Sequence, residues 1–500
     1  MKRILFCASL LLLLLVVSRP SPQAAQRPES KISPALVTEL ASLPAGQTRA
    51  VWVYLKDKGF DSDSAGLLHD SLQERKQTFR ERCLRRRAKA RPGREVVDIE
   101  DLALFPPYAD RIRSMVPRVR VVSRWLNALS VEAGSREAES LASFEFVSRL
   151  EPVAGFRRGE EQDKEASVEA APALSFQDLV YGPSRAQLEQ IGVLSLHLAG
   201  YAGRGVLVCL LDAGFRKSHP VFQMARLLAE WDFVNGDGDV QQNLNDPNDY
   251  SDSHGTGTWS ALGGFRLGRL IGPAFQAEFI LGKTETERFE RPIEEDYWVA
   301  GIEWAESLGA DVVSSSLGYT DWYTFKNMDG RTAVTTLAAD RAADLGVVVV
   351  NAAGNERNNS WGHIIAPADG FKVIAVGAVN SSGRIASFSS PGPTFDGRIK
   401  PEVCALGVNT WVAGTDQDGK PVYRAGSGTS FATPLVAGAV ALLLEAHPDW
   451  TPADVRAALL ATASQNADPD NDYGWGIVNA QAAVNWGRIY TLHFALSNLR

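Results

Sequence analysis

The sequence predicts an α/β protein built on a doubly wound parallel sheet with helices on both faces, preceded by a small α+β domain. Three features carry this expectation. From Gln187 onward, short apolar runs at 205–211, 277–281, 311–316, 346–350 and 373–376 alternate with helical segments such as 298–308 and 332–344, as parallel strands buried on both faces require. Residues 431–444 are nearly all Ala, Val, Leu and Gly with no polar face, which reads as a helix buried on every side. Glu445 and His447-Pro448 stop that run short of the about 20 residues a bilayer span needs. Finally, residues 26–154 have a composition of their own.

Taken in order, the chain begins with Lys2 and Arg3, an apolar run over 4–17 and small residues at Ala24-Ala25, the layout of a secretory signal peptide over residues 1–25. Export, to the extracellular space or a periplasm, is therefore expected. In the first domain, 51–55 reads as a strand, 64–89 as one long helix with Leu67, Leu68, Leu72 and Phe79 as its apolar stripe, 125–131 as a strand, 135–144 as a helix and 146–151 as a strand. That is the outline of an open α+β sandwich. The Arg- and Lys-dense stretch 75–94 reads as a solvated face. Residues 155–184 form a linker, Gly-, Glu-, Lys- and Ala-rich up to about 175. The main domain runs over 185–486, and 487–500 is a short tail.

Composition bounds the partners. Five hundred residues, 45% hydrophobic and 22% charged, allow two or three globular domains. A net charge of −8 disfavours nucleic acid. Outside the signal, Cys83, Cys209 and Cys404 are odd in number, two of them inside apolar runs, and read as buried small hydrophobes rather than a disulfide framework or metal site. A monomer with no stable membrane insertion is expected.

In a doubly wound sheet the chemistry lies at the carboxyl ends of strands. Run 206–211 ends in Asp212-Ala213-Gly214, a carboxylate at a strand tip placed to orient a base. Ser253-His254-Gly255-Thr256-Gly257 puts an imidazole where a helix begins, alone among the seven histidines between such small neighbours. Run 347–350 leads into Asn351-Ala352-Ala353-Gly354-Asn355, presenting an amide that can donate to an oxyanion. At Ser314-Ser315-Ser316-Leu317-Gly318 a second, extended chain could lie edge-on. Ser430, in Gly426-Ser427-Gly428-Thr429-Ser430-Phe431-Ala432, opens the buried helix, where unpaired N–H groups favour developing negative charge. Each residue taken singly also has a plain structural role: Ser430 as a cap, Asp212 and Asn355 as turn residues, His254 as a core histidine.

Together, Asp-x-Gly, His-Gly-Thr, Ala-Ala-Gly-Asn and Gly-Thr-Ser-x-Ala fall in this order at successive strand ends, closed by Tyr473-Gly474-Trp475-Gly476. The arrangement resembles the subtilisin-like serine peptidases, the subtilases, over about residues 185–486, in the chain order Asp, His, Ser. The resemblance implies Asp212, His254 and Ser430 as a catalytic triad and Asn355 as the oxyanion donor. It implies Ser316, Leu317, Gly318, Ala352 and Gly354 as lining for the residue before the scissile bond. Leu317, Ile364 and Ile365 beside these segments, with no acid close in sequence, point to an apolar preference. The first domain resembles the family's inhibitory propeptide, a ferredoxin-like sandwich that also chaperones the enzyme, so the chain's own propeptide and protein or peptide substrates are the partners implied. Gly257, Ala213, Phe431 and Thr433 depart from the family's commoner His, Thr or Ser, Met and Ser.

A rival reading is a secreted binding protein that keeps the scaffold without the activity. A lipase-like hydrolase would place its Ser before the acid and the His, and here Ser430 comes last. No cofactor is required for the chemistry. The resemblance implies one structural calcium ion. The oxygen-rich loops at 235–249 and 468–472 are its candidates, although both also read as plain turns and Tyr473 breaks the EF-hand pattern.

Overall fold

The structure, a computed structural model, describes residues 30–156, 180–242, 253–285, 293–320, 322–416 and 420–487. The expected signal peptide, most of the linker and the tail fall outside the described residues.

The first domain is a four-stranded antiparallel sheet of β1 (Arg49–Leu55), β2 (Arg118–Ser123), β3 (Ala128–Ala133) and β4 (Val147–Pro152), in the order β2-β3-β1-β4. Alternation along β1 sorts its side chains between two cores. Val51, Val53 and Leu55 pack beneath the helices Pro106–Arg113 and Ser135–Ala142, whereas Trp52 and Tyr54 join a core shared with the main domain. The expected strand at 125–131 begins only at Ala128, because Asn127 takes φ 49 and turns the chain there.

The long helix expected over 64–89 is two helices, α1 (Ala65–Thr78) and α2 (Glu81–Ala90). The chain breaks at Phe79, whose extended ψ of 143 turns its ring inward between the guanidinium groups of Arg75 and Arg87, 4.5 and 4.2 Å from its centroid. Leu67, expected in the apolar stripe, is 68% exposed. The basic run is not a solvated face: Arg86 and Arg87 are 3% and 0% exposed. Their partners are acids of the main domain and of residue 101, which no local pattern reveals.

The main sheet has seven parallel strands: β5 (Leu207–Asp212), β6 (Arg226–Asp232), β7 (Glu278–Lys283), β8 (Val312–Ser315), β9 (Val348–Ala352), β10 (Ile374–Val379) and β11 (Val403–Leu406). Their order is β11-β10-β9-β8-β5-β7-β6. Strand residues again alternate between two cores. Val208 and Leu210 face the cluster built on the helix Thr429–Ala446, whereas Leu207, Cys209 and Leu211 face the one built on the helices Glu295–Leu308 and Val334–Asp344. This is the doubly wound arrangement read from the sequence. One strand was not foreseen, β6, an edge strand with exposed Leu228 and Trp231; the four-residue β11 is the apolar run around Cys404. Every residue from Thr429 to Leu444 is buried, so the apolar helix is the core of the fold. The three cysteines are buried and unbridged.

Candidate active site

Asp212 is the last residue of β5 and is 1% exposed. Its Oδ1 accepts the Ala213 N–H at 2.7 Å and lies 2.6 Å from His254 Nδ1, while Oδ2 accepts the Thr258 hydroxyl at 2.9 Å. Thr258 stands one turn after His254 on the helix Ser253–Gly263 and so shares its face. Sequence reasoning missed it, although the spacing alone could have found it. The glycine after His254 is required: a Cβ on Gly255 would come within 2.1 Å of the Gly214 carbonyl oxygen. A carboxylate on the imidazole's Nδ1 side fixes the tautomer and stabilises the cation of a general base.

Other histidines are equally buried. His197 stacks on Tyr181 and meets the Pro273 carbonyl at 2.7 Å, and His219 caps a short helix and meets the Val422 carbonyl at 3.1 Å. Burial therefore does not single out His254; its carboxylate partner does.

Ser430 is the second residue of the helix Thr429–Ala446. Pro434 lies in the same helix and, lacking an N–H, cannot bond the carbonyl four residues back, which is that of Ser430. Ser316 fills the gap: its hydroxyl donates to the Ser430 carbonyl at 2.7 Å, and the Ser430 hydroxyl reaches the Ser316 carbonyl at 3.3 Å. The rings of His254 and Phe431 are 5.8 Å apart, which brings the imidazole to the first turn of Ser430's helix.

Asn355 is half-buried just beyond β9. Its Oδ1 accepts both the N–H and the hydroxyl of Thr429, at 2.9 and 3.0 Å. With the oxygen engaged on the residue before Ser430, the Nδ2 donor is the end of the amide left to meet an oxyanion.

The two expected pocket walls converge on one side chain. A Cβ on Gly318 would lie 2.1 Å from Ile365 Cδ1, and one on Gly354, where φ is +109, would lie 3.1 Å from the same atom. Leu317 and Ala352 are tied by Asn351, whose Nδ2 donates to both carbonyls at 2.9 and 3.0 Å. One acid does lie close in sequence to these segments, Glu356. It is buried, which raises its pKa, and the Asn359 amide engages its carboxylate.

The candidate calcium loops do not fit a cation where they are described. Asp470 spends Oδ1 on the N–H groups of Asp472 and Tyr473 and Oδ2 on Gln465, and Asp472 pairs with Arg357. In the other loop, Asp237 and Asp239 are held by local turns and Lys217; residues 243–249 lie outside the described residues. Among the described residues no group of three or more His, Cys, Asp or Glu could hold a metal.

The sequence pattern of the subtilase family, Peptidase S8, matches residues 203–476, and that of the Peptidase S8 propeptide domain of Bacteroidota matches residues 50–168. Subtilisin from Bacillus pumilus is 37% identical over 307 residues, covering 59% of this chain and 97% of its own. Subtilisin E from Bacillus subtilis (strain 168) is likewise 37% identical over 307 residues, covering 59% of this chain and 70% of its own. Fervidolysin from Fervidobacterium pennivorans, a keratinolytic enzyme related to subtilisin, shares the fold with a TM-score of 0.61 at 22% identity. That likeness covers 89% of this chain and 62% of fervidolysin. The chain belongs to the subtilase family of serine peptidases and carries the family's propeptide domain ahead of the peptidase domain.

Proposed function

We propose that this chain is a secreted serine endopeptidase made as a self-processing zymogen. The observation that carries the reading is the Asp212–His254 contact of 2.6 Å beside the helix that Ser430 opens. In this mechanism His254 takes the Ser430 proton as the hydroxyl attacks a peptide carbonyl, and Asp212 holds the tautomer and stabilises the imidazolium. The tetrahedral oxyanion is met by Asn355 Nδ2 and the Ser430 N–H. The leaving amine takes the proton back from His254, and water, activated by the same imidazole, releases the acyl-enzyme.

The zymogen reading is supported by a backbone pairing. Gly155–Phe156, where the first domain ends, pairs antiparallel with Ile293–Glu294 of the peptidase domain, Phe156 opposite Ile293. An extended chain added to a strand edge is how a peptide substrate would bind, and Phe156 is the last residue described before the linker. The cut then falls within 157–184, and the residues 1–25 direct export.

Expression of the chain and of Ser430→Ala, followed by N-terminal sequencing, tests this. The parent yields a new N-terminus within 157–184, and Ser430→Ala keeps its first domain covalently attached. Identical termini would refute self-processing. Failure of a fluorophosphonate to label Ser430 in the processed parent would favour the binding-protein reading.

A further inference from the structure

The arginines of α2 dock on the peptidase domain at the amino ends of the sheet strands, the edge opposite Asp212, Asn355 and Ser430. Arg86 donates to the carbonyls of Ala310 at 2.6 Å, Leu345 at 3.1 Å and Glu306 at 3.2 Å, and pairs with the Glu306 carboxylate. Arg87 forks onto both Glu306 oxygens, from Nε and Nη2, each at 2.7 Å. Its remaining hydrogens are held within its own domain by Asp101, at 2.7 and 2.8 Å, and by the Val96 carbonyl at 2.9 Å, which aims it at Glu306. Arg82 reaches Glu278 at 2.7 Å, Asp311 at 2.6 Å and the Gly205 carbonyl at 2.7 Å.

The peptidase surface is shaped for these side chains. Gly309 and Gly346, with φ +93 and +95, follow the helices Glu295–Leu308 and Val334–Asp344. A Cβ on Gly309 would lie 3.2 Å from Arg82 Cγ, and one on Gly346 would lie 2.9 Å from Arg86 Cγ. The carbonyls that Arg86 caps belong to the ends of these same helices and the turns after them, which lack helical donors and carry partial negative charge. A planar guanidinium fork matches this mixture of carboxylate and carbonyl oxygens, as an ammonium point charge does not.

We propose that Glu306, Asp311, Glu278 and the carbonyls of Ala310 and Leu345 form a guanidinium-binding site of the peptidase domain, separate from its cleft, through which α2 keeps the first domain on the enzyme after the linker is cut. The proposal rests on the zymogen reading for its setting, since it concerns the cut protein. The cut at 157–184 touches none of these contacts. Loss of the strand pairing at Gly155–Phe156 leaves them in place. Withdrawal of α2 would leave the Glu306 carboxylate, fully buried in the intact chain, without its two arginines, and a buried charge deprived of its partner is costly.

The test uses the full chain carrying Ser430→Ala and, between residues 157 and 179, a recognition sequence for an unrelated, highly specific protease, so that the cut is made on demand. After cutting, the first domain of the parent co-elutes with the peptidase domain in size exclusion. Glu306→Gln, and separately Arg86→Lys with Arg87→Lys, speed its dissociation at least tenfold. Asp311→Asn, at the partly exposed rim, gives a smaller acceleration and serves if the buried variants fail to fold. Immediate separation of the parent, or dissociation of every variant at the parental rate, overturns the proposal. A chain with Ser430 intact, run in parallel, that never cuts itself would defeat the zymogen reading while leaving this result standing.

Discussion

The ring of Phe431 occupies the space that a side chain at position 257 would need: a Cβ on Gly257 would lie 3.0 Å from Phe431 Cε1. The family's commoner residues at these positions are His and Met, so two departures from the pattern are one exchange of volume. Phe431 also packs with Ala261 and Val412 and against the His254 ring. Gly257→His should therefore cost about 1–3 kcal/mol by overpacking, and Phe431→Met in the same chain should recover most of it. Denaturant midpoints of the single and double variants, in a Ser430→Ala background, measure this; additive losses would show that the two sites are independent.

Asn355→Ala should lower kcat by about 10²–10³, a magnitude carried over from subtilisin itself, with little change in substrate binding. The side-chain oxygen is engaged by Thr429, so the loss should come from the amide nitrogen alone. An unchanged kcat on any cleaved peptide would remove Asn355 from the oxyanion site.

Ser316 supplies the donor that Pro434 denies the Ser430 carbonyl. Ser316→Ala should destabilise the Ser430→Ala protein by about 1–3 kcal/mol, the cost of a buried acceptor left unpaired. Pro434→Ala restores a backbone N–H to that carbonyl and should offset part of the loss. If the double variant is less stable than Ser316→Ala, the carbonyl is not the group that matters.

Ile365 packs against both Gly318 and Gly354, so in the proposed pocket it should limit depth. The parent should cleave after small apolar residues, and poorly after Arg or Lys. Ile365→Gly should raise cleavage after Phe or Leu relative to Ala by about 10- to 200-fold. A peptide library read by mass spectrometry gives both profiles, and an unchanged profile in the variant would place the specificity elsewhere.

Glu295 gives docking of the first domain a pH dependence. Burial raises its pKa from 4.5 to about 8; the Ala154 N–H and the Tyr323 hydroxyl oppose the rise, while Asp296 and Glu151 add to it. With its pKa raised in the docked state, Glu295 favours docking fully below its ordinary pKa and progressively loses that contribution as pH rises to about 8. Glu306 acts in the opposite sense but at lower pH, since burial pushes it up and Arg86 and Arg87 outweigh that to hold it below the usual range. Across pH 5–8 the cut first domain should thus dissociate faster as pH rises, and Glu295→Gln should flatten the profile. Dissociation rates that fall with pH in the parent would contradict this.

The strand ends were legible because each candidate sits among small residues next to it in sequence: Gly214 after Asp212, Gly255 after His254, Gly354 before Asn355, Gly428 before Ser430. Alternating apolar runs likewise announced β5 and β7 to β10. The edge strand β6 was not legible, because it exposes Leu228 and Trp231 and so lacks the continuous apolar run of a central strand. The fate of Arg86 and Arg87 was hidden for another reason: Glu306 is 220 and 219 residues away. Ile365 was expected only as a neighbour of the pocket segments, and its close approach to both Gly318 and Gly354 shows only in the structure.

Arg86 also bridges long stretches of sequence. Its bonds to Ala310 and Leu345 join residues 224 and 259 positions apart, at the turns that lead into β8 and β9. Synthesis delivers α2 first, and both turns emerge afterwards. Once both are gripped, β8 and β9 need search only for register, because the entropy of closing those long loops has already been spent. A peptidase half translated without residues 26–154 must bring the turns at Ala310 and Leu345 together without the Arg86 bridge between them.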